Sequence, residues 1–140
     1  MIKARVAFYK GKGDWADWAI RKYTGSAYSH TELVIDNDWY SSSPYDGKVR
    51  CAANMNYSKD SWDFVDVNID MDKFTKHFAK TNGAKYDWLG IVLSQFLPLG
   101  IDSKKKWFCS EWCAKVLKDS GYAIGKKVSW YSPKRLYEAL

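Results

Sequence analysis

The sequence predicts an α+β domain, and three observations carry that prediction. Short β-rich runs divided by turn residues fill the first half of the chain, whereas helical periodicity takes over from Asp70 onward. With 140 residues and 46% hydrophobic content, the chain can bury one ordinary core and is too short for two, so a single domain over 1–140 is expected. The sheet should be small and largely antiparallel, because its strands follow one another through tight turns.

Ala4 to Tyr9 reads as the first strand. Gly11 and Gly13 then open a loop, and Asp14 to Tyr23 reads as a helix, with Trp15, Trp18, Ala19 and Lys22 along one side, Asp14 as cap and Gly25 as stop. Ser29 to Ile35 and Asp38 to Ser42 form a hairpin about Asp36-Asn37. Asp46-Gly47 turns the chain again into Lys48 to Ala52, and Trp62 to Val67 supplies a further run. From Asp70 to about Asn82-Gly83, Met71, Phe74, Phe78 and His77 share a helical face. A further helix is expected over Lys85 to Phe96, broken by Pro98 and Gly100. A polar loop at Asp102 to Lys106 precedes a helix beginning near Cys109, and Ser132-Pro133 opens a final short helix to Leu140.

Composition narrows the functional classes. The 17% aromatic content lies far from a disordered profile. Net charge is +6, which favours acidic partners at long range. Yet the densest basic run, Lys104 to Lys106, is short, so no specific nucleic-acid interface is expected. The longest apolar stretch, Leu89 to Leu99, is interrupted and too short to span a bilayer, so no transmembrane segment is expected. Three cysteines cannot all pair within one chain, and the start of the sequence lacks an apolar signal core. Both features suit a reducing, cytoplasmic setting.

The chemistry-bearing residues are Cys109, His30 and Glu32. A thiol at the start of a helix beside an imidazole gains nucleophilicity from the helix dipole and the neighbouring charge. Trp107-Phe108-Cys109-Ser110-Glu111-Trp112-Cys113 places Cys109 in such a first turn, with Cys113 one turn deeper. Taken alone, Cys109 reads better as a packed core thiol than as a nucleophile, and it is the company of His30 and Glu32 that points to chemistry. Strand alternation puts Glu32 on the same face as His30, where a carboxylate would orient the imidazole, although Glu32 also fits a solvent-facing strand position. His77 reads as structural or surface-exposed. The backbone N–H of Cys109 is a natural oxyanion donor, with no second donor identifiable. Tyr28, Trp39, Tyr86 and Trp107 fit either a cleft lining or simple core. Zinc lacks enough ligands at paired spacing, and Gly11-Lys12-Gly13 lacks the continuation of a phosphate loop, so no metal or cofactor is expected.

These pieces, in their order, resemble a known group. Gly13-Asp14-Trp15, Tyr28-Ser29-His30-Thr31-Glu32-Leu33-Val34, Tyr40-Ser41-Ser42-Ser43, Asp46-Gly47-Lys48-Val49-Arg50, Trp62-Asp63-Phe64-Val65, Gly83 to Gly90, Trp107-Phe108-Cys109-Ser110-Glu111 and Ser132-Pro133 are similar to small phage-encoded proteins. That group belongs to the circularly permuted branch of the NlpC-type, papain-like superfamily, which includes the lecithin:retinol acyltransferases. The resemblance implies a permuted papain-like fold, with the histidine preceding the cysteine and the sheet packed against the helix that starts at the nucleophile. It implies a cysteine hydrolase or acyltransferase with Cys109 as nucleophile and His30 as base. Relatives often take a third polar residue from the following strand, here Ser42 or its neighbours Ser41 and Ser43; Glu32 is the preferred candidate and Ser42 the substitute. Substrates implied are peptide or isopeptide bonds, including cell-wall stem peptides, or acyl lipids. The rival reading is a catalytically silent binding protein acting on a host bacterial protein.

Overall fold

The computed structural model describes residues 1–11, 27–87 and 106–140. Its strands are β1 (Ile2–Tyr9), β2 (His30–Ile35), β3 (Asp38–Ser43), β4 (Lys48–Ala53), β5 (Trp62–Ile69), β6 (Lys85–Tyr86) and β7 (Lys106–Trp107). The helices are α1 (Met71–Thr81), α2 (Cys109–Asp119) and α3 (Pro133–Ala139). The α+β class is therefore observed. The helix expected over Asp14 to Tyr23 lies outside the described residues.

One seven-stranded sheet runs in the order β5-β1-β2-β3-β4-β6-β7. Every pairing is antiparallel except β6 with β7. The β2–β3 hairpin closes through Asp36 and Asn37, with Ile35 opposite Asp38. Asp36 takes the left-handed conformation, φ 54°, which Asp tolerates better than most residues. At the β3–β4 turn Gly47 has φ 71° and its N–H bonds the Ser43 carbonyl at 2.8 Å. Together these two turns set the register: Leu33 faces Tyr40 across one ladder, and Ser41 faces Arg50 across the next.

The helix expected at Lys85 to Phe96 does not begin there. Lys85 and Tyr86 are extended and pair with Lys48 on one side and with Lys106 and Trp107 on the other. The Tyr86 N–H is spent on the Gly47 carbonyl at 3.0 Å, so it is unavailable to a helix. Residues 88–96 of that expected helix lie outside the described residues. Likewise, the end of the expected polar loop, Lys106, is recruited as sheet edge.

Alternation along the strands separates two apolar layers. Val6, Phe8, Leu33 and Ile35 meet Trp112, Cys113, Val116 and Leu117 of α2, Phe74 of α1 and Leu136 of α3. On the other face Ala7, Val34, Trp39 and Trp62 gather, with Phe64 and Tyr9 packed against them. Each large buried side chain contributes about 1.5–3 kcal/mol; truncating Leu117, fully enclosed, would cost about 2–5 kcal/mol. Helix α1 starts where Asp70 accepts from the Lys73 N–H, as its sequence suggests. It buries Phe74, His77 and Thr81 and leaves Met71 exposed, so its inner face is rotated slightly from the expected one. Ser132 caps α3 by accepting from the Arg135 N–H at 3.3 Å, with Pro133 in the first turn. Among the described residues no helix is long and apolar enough to cross a membrane.

Candidate active site

Helix α2 begins at Cys109, and the chain leading into it is pinned. The Trp107 carbonyl accepts from the Ser42 hydroxyl at 2.6 Å and from the Asp87 N–H at 2.9 Å. One residue on, the Phe108 N–H donates to the Glu111 carboxylate at 3.2 Å, half of a capping box. Deeper in the helix the Trp112 indole N–H donates to the Thr81 hydroxyl at 2.8 Å, tying α2 to α1. Cys109 is fully buried.

His30 opens β2, also buried, and its Nε2 is hydrogen-bonded to Glu32 Oε2. Burial alone would depress the imidazole. The charge of Glu32 outweighs it, helped by the charge and hydrogen bonding of Cys109, and His30 is pushed up to about 10. Glu32 takes Nε2, and Nδ1 is left buried without a hydrogen-bond partner of ordinary geometry among the described residues. That is the nitrogen left for Cys109, whose thiol acts on the ring as a neighbour. The structure therefore brings Cys109, His30 and Glu32 together. Ser42 is elsewhere, its hydroxyl committed to Trp107; Ser41 donates to the Thr31 carbonyl at 2.6 Å, and Ser43 accepts from the Asp46 N–H.

Glu32 has a second partner that sequence reading passed over. Arg50 of β4 donates from Nη1 to Oε1 at 2.6 Å and from Nη2 to Oε2 at 2.9 Å, a forked contact that only a guanidinium makes. Its Nε donates to Asp46 at 2.8 Å. Burial pushes Glu32 toward its neutral form, but His30 and then Arg50 overcome this and hold the carboxyl below its usual range. Asp46, also below its usual range, owes this to Arg50 against the opposing effect of burial. Asp46, Arg50, Glu32 and protonated His30 thus form a string of alternating charge running inward from the surface.

Tyr86 completes the surroundings of the sulfur. Its hydroxyl lies 4.0 Å from Cys109 Sγ, donating to it. Burial first, then Cys109, pushes the phenol well above its usual range, while a hydrogen bond from the Cys109 backbone N–H works the other way. The phenol therefore stays protonated beside both the thiol and the amide. Cys113 is a different kind of cysteine: burial, then the charge of Cys109, pushes its thiol well up, so it remains a neutral core group. Cys51 is exposed, and all three cysteines are free.

The other aromatic candidates divide. Trp39 is core, edge-on to Trp62 at 4.8 Å. Tyr28 donates to Asp63 at 2.5 Å and packs on Phe8. Trp107 packs under His77 at 5.1 Å. At the surface Tyr45, half exposed, lies edge-on to His30 at 6.2 Å and sits next to Asp46 at the outer end of the charged string. Comparison with protein-family models, curated proteins and solved structures finds no match. Function is therefore read from the chemistry of these residues and their geometry.

Proposed function

We propose that this protein is a cysteine-dependent hydrolase or acyltransferase acting on an amide, ester or thioester carbonyl. Within that class it fits the permuted papain-like branch that its motifs resemble, with the histidine strand before the cysteine helix. The observation that supports this most is His30, buried with a carboxylate on Nε2 and with Cys109 acting on its ring as a charged and hydrogen-bonding neighbour. Burying a histidine that must carry charge costs stability, and a purely structural core would be served better by an apolar ring.

The step follows from the placement. His30 already holds its own proton, so the thiol proton passes to solvent as Cys109 reacts. Sγ attacks the carbonyl carbon and forms a C–S bond, while the Cys109 N–H and the Tyr86 hydroxyl exchange their contacts with each other and with Sγ for the oxyanion; Tyr86 is the second donor that the sequence alone did not identify. His30 gives its proton to the departing nitrogen, oxygen or sulfur as that bond breaks. Water or an acceptor then attacks the thioester, His30 takes its proton, and Cys109 is released. Glu32 holds the imidazole's orientation and charge throughout. Substrates of this reading are peptide, isopeptide or acyl-lipid bonds.

Alkylation with iodoacetamide at neutral pH tests it. Exposure alone ranks Cys51 first, since Cys109 is fully enclosed. An activated site reverses the ranking: Cys109 labels faster than Cys51 and Cys113, and His30→Ala slows Cys109 while leaving Cys51 unchanged. Labelling ordered by exposure, indifferent to His30, would overturn the reading. The enclosure of Cys109 favours a second reading, a catalytically silent protein that binds a host factor. Cys109→Ala separates the two, abolishing an enzyme's effect and sparing a binder's.

A further inference from the structure

A concave feature lies between α1 and α2, with a volume of about 1010 Å³, and it owes nothing to the charged string around His30. Along one wall run Lys73, Lys76 and Lys80, three residues and then four apart, so they share one face of α1. Lys115 of α2 faces them, and Trp107 and His77 form part of the lining. Lys115 is paired with Asp119 at 2.7 Å, whereas the ammonium groups of Lys73, Lys76 and Lys80 have no partner among the described residues. Four ammonium groups against one carboxylate leave the groove strongly positive.

We propose that this groove binds an acidic polypeptide segment, supplied by a protein partner or substrate. Lys73 to Lys80 covers about 10 Å along the helix. An extended chain presents alternate side chains about 6.6–7 Å apart, so two or three carboxylates on one side of a strand match the lysine row. The chemistry of the lining selects this occupant over other anions. None of the large exposed apolar residues, Met1, Tyr45, Tyr57, Met71 and Tyr137, is among those that line it, so the groove itself offers none of them to a bilayer. No arginine fork is among the described lining residues, and Trp107 is engaged by the His77 ring, so phosphate clamping and base stacking lack their usual tools.

His77 is a built-in reporter. Its ring stacks on Trp112 at 5.0 Å, and Nε2 is buried without a hydrogen-bond partner among the described residues. Burial lowers it first, Lys115 and Lys80 push the same way and Asp119 opposes them, giving about 4. Carboxylates entering the groove offset the two lysines and raise that midpoint.

The test is titration with a fluorescently labelled oligoglutamate peptide, followed by anisotropy and by the His77 imidazole NMR signal. Binding should raise the His77 midpoint, and Lys76→Glu with Lys80→Glu should weaken binding at least about tenfold. Lys3→Glu, exposed on β1 away from the groove, lowers net charge with little effect. Equal weakening by Lys3→Glu, or an unmoved His77, would reduce binding to net charge and overturn the proposal. So would stronger binding of a single-stranded oligonucleotide or of anionic vesicles. Cys109→Ala retains peptide binding, which keeps this outcome separate from that of the catalytic reading.

Discussion

The two histidines of this chain are both buried, and their surroundings drive them in opposite directions. His30 meets a carboxylate and a thiol and is held at about 10; His77 meets two indoles, with lysines beyond, and falls to about 4. Burial lowers both. What separates them is whether a compensating negative charge is buried alongside, and only the Glu32 site provides one in contact. A buried imidazole is therefore poised for proton chemistry by its companion, not by its depth.

The pH dependence of stability carries the same contrast. His30 lies above its ordinary 6.5, so its contribution is fully present below that pH and is lost as pH rises through about 10. His77 lies below 6.5, so the unfolded chain binds its proton more readily and stability falls as pH drops from 6.5 toward 4. Glu32, held below its ordinary 4.5, adds a further loss in acid. Stability should peak near pH 6.5 and decline on both sides, read from urea midpoints across pH.

Glu32→Gln breaks the contrast most severely. It leaves Arg50 and His30 buried without their anion, and urea unfolding should show a loss of about 3–5 kcal/mol. The His30 midpoint should drop from about 10 toward the range of His77; a midpoint that stays near 10 would remove Glu32 from its assigned role. Arg50→Met should cost about 2 kcal/mol, the scale of hydrogen bonds to charged groups. It also lets Glu32 protonate at higher pH, so the acid limb of the stability profile moves up. His77→Phe keeps an aromatic ring against Trp112 and should cost less than about 1.5 kcal/mol. It flattens the profile between pH 4 and 6.5; the loss from Glu32 begins only near its ordinary 4.5 and deepens below it, so a limb that persists above pH 5 would remove His77 from its assigned role. Tyr86→Phe is the smallest in stability, about 0.5–1.5 kcal/mol. In the catalytic reading it nevertheless slows turnover about a hundredfold, the weight of one oxyanion donor.

Much of the fold is written in local chemistry. Asp36-Asn37 and Asp46-Gly47 announce their turns, Asp70 and Ser132 cap their helices, and the strands read from alternation. Lys85-Tyr86 was not legible, because a two-residue strand owes its existence to neighbours distant in sequence. In the site, the alternation of His30 and Glu32 and the helix start at Cys109 point to the residues that meet. Arg50 was missed, although a signal existed: the two turns set registers that place Glu32, Ser41 and Arg50 in one row across three strands. Reading that row needs both turns at once, whereas the sequence presents them one at a time. Nothing local marks Tyr86, whose contact with Cys109 depends on the strand that sequence periodicity assigned to a helix.

The complete enclosure of the Cys109 sulfur has a kinetic consequence. A reagent in solution reaches it only after part of the structure has opened, so reaction becomes a two-step process. At low reagent concentration the observed rate rises in proportion to reagent. At high concentration it levels off at the opening rate, whatever the intrinsic reactivity of the thiol. The plateau therefore measures a gate and the initial slope measures a nucleophile multiplied by the fraction of time the gate stands open. Exposed Cys51 shows no such ceiling, which makes it an internal clock for the same experiment.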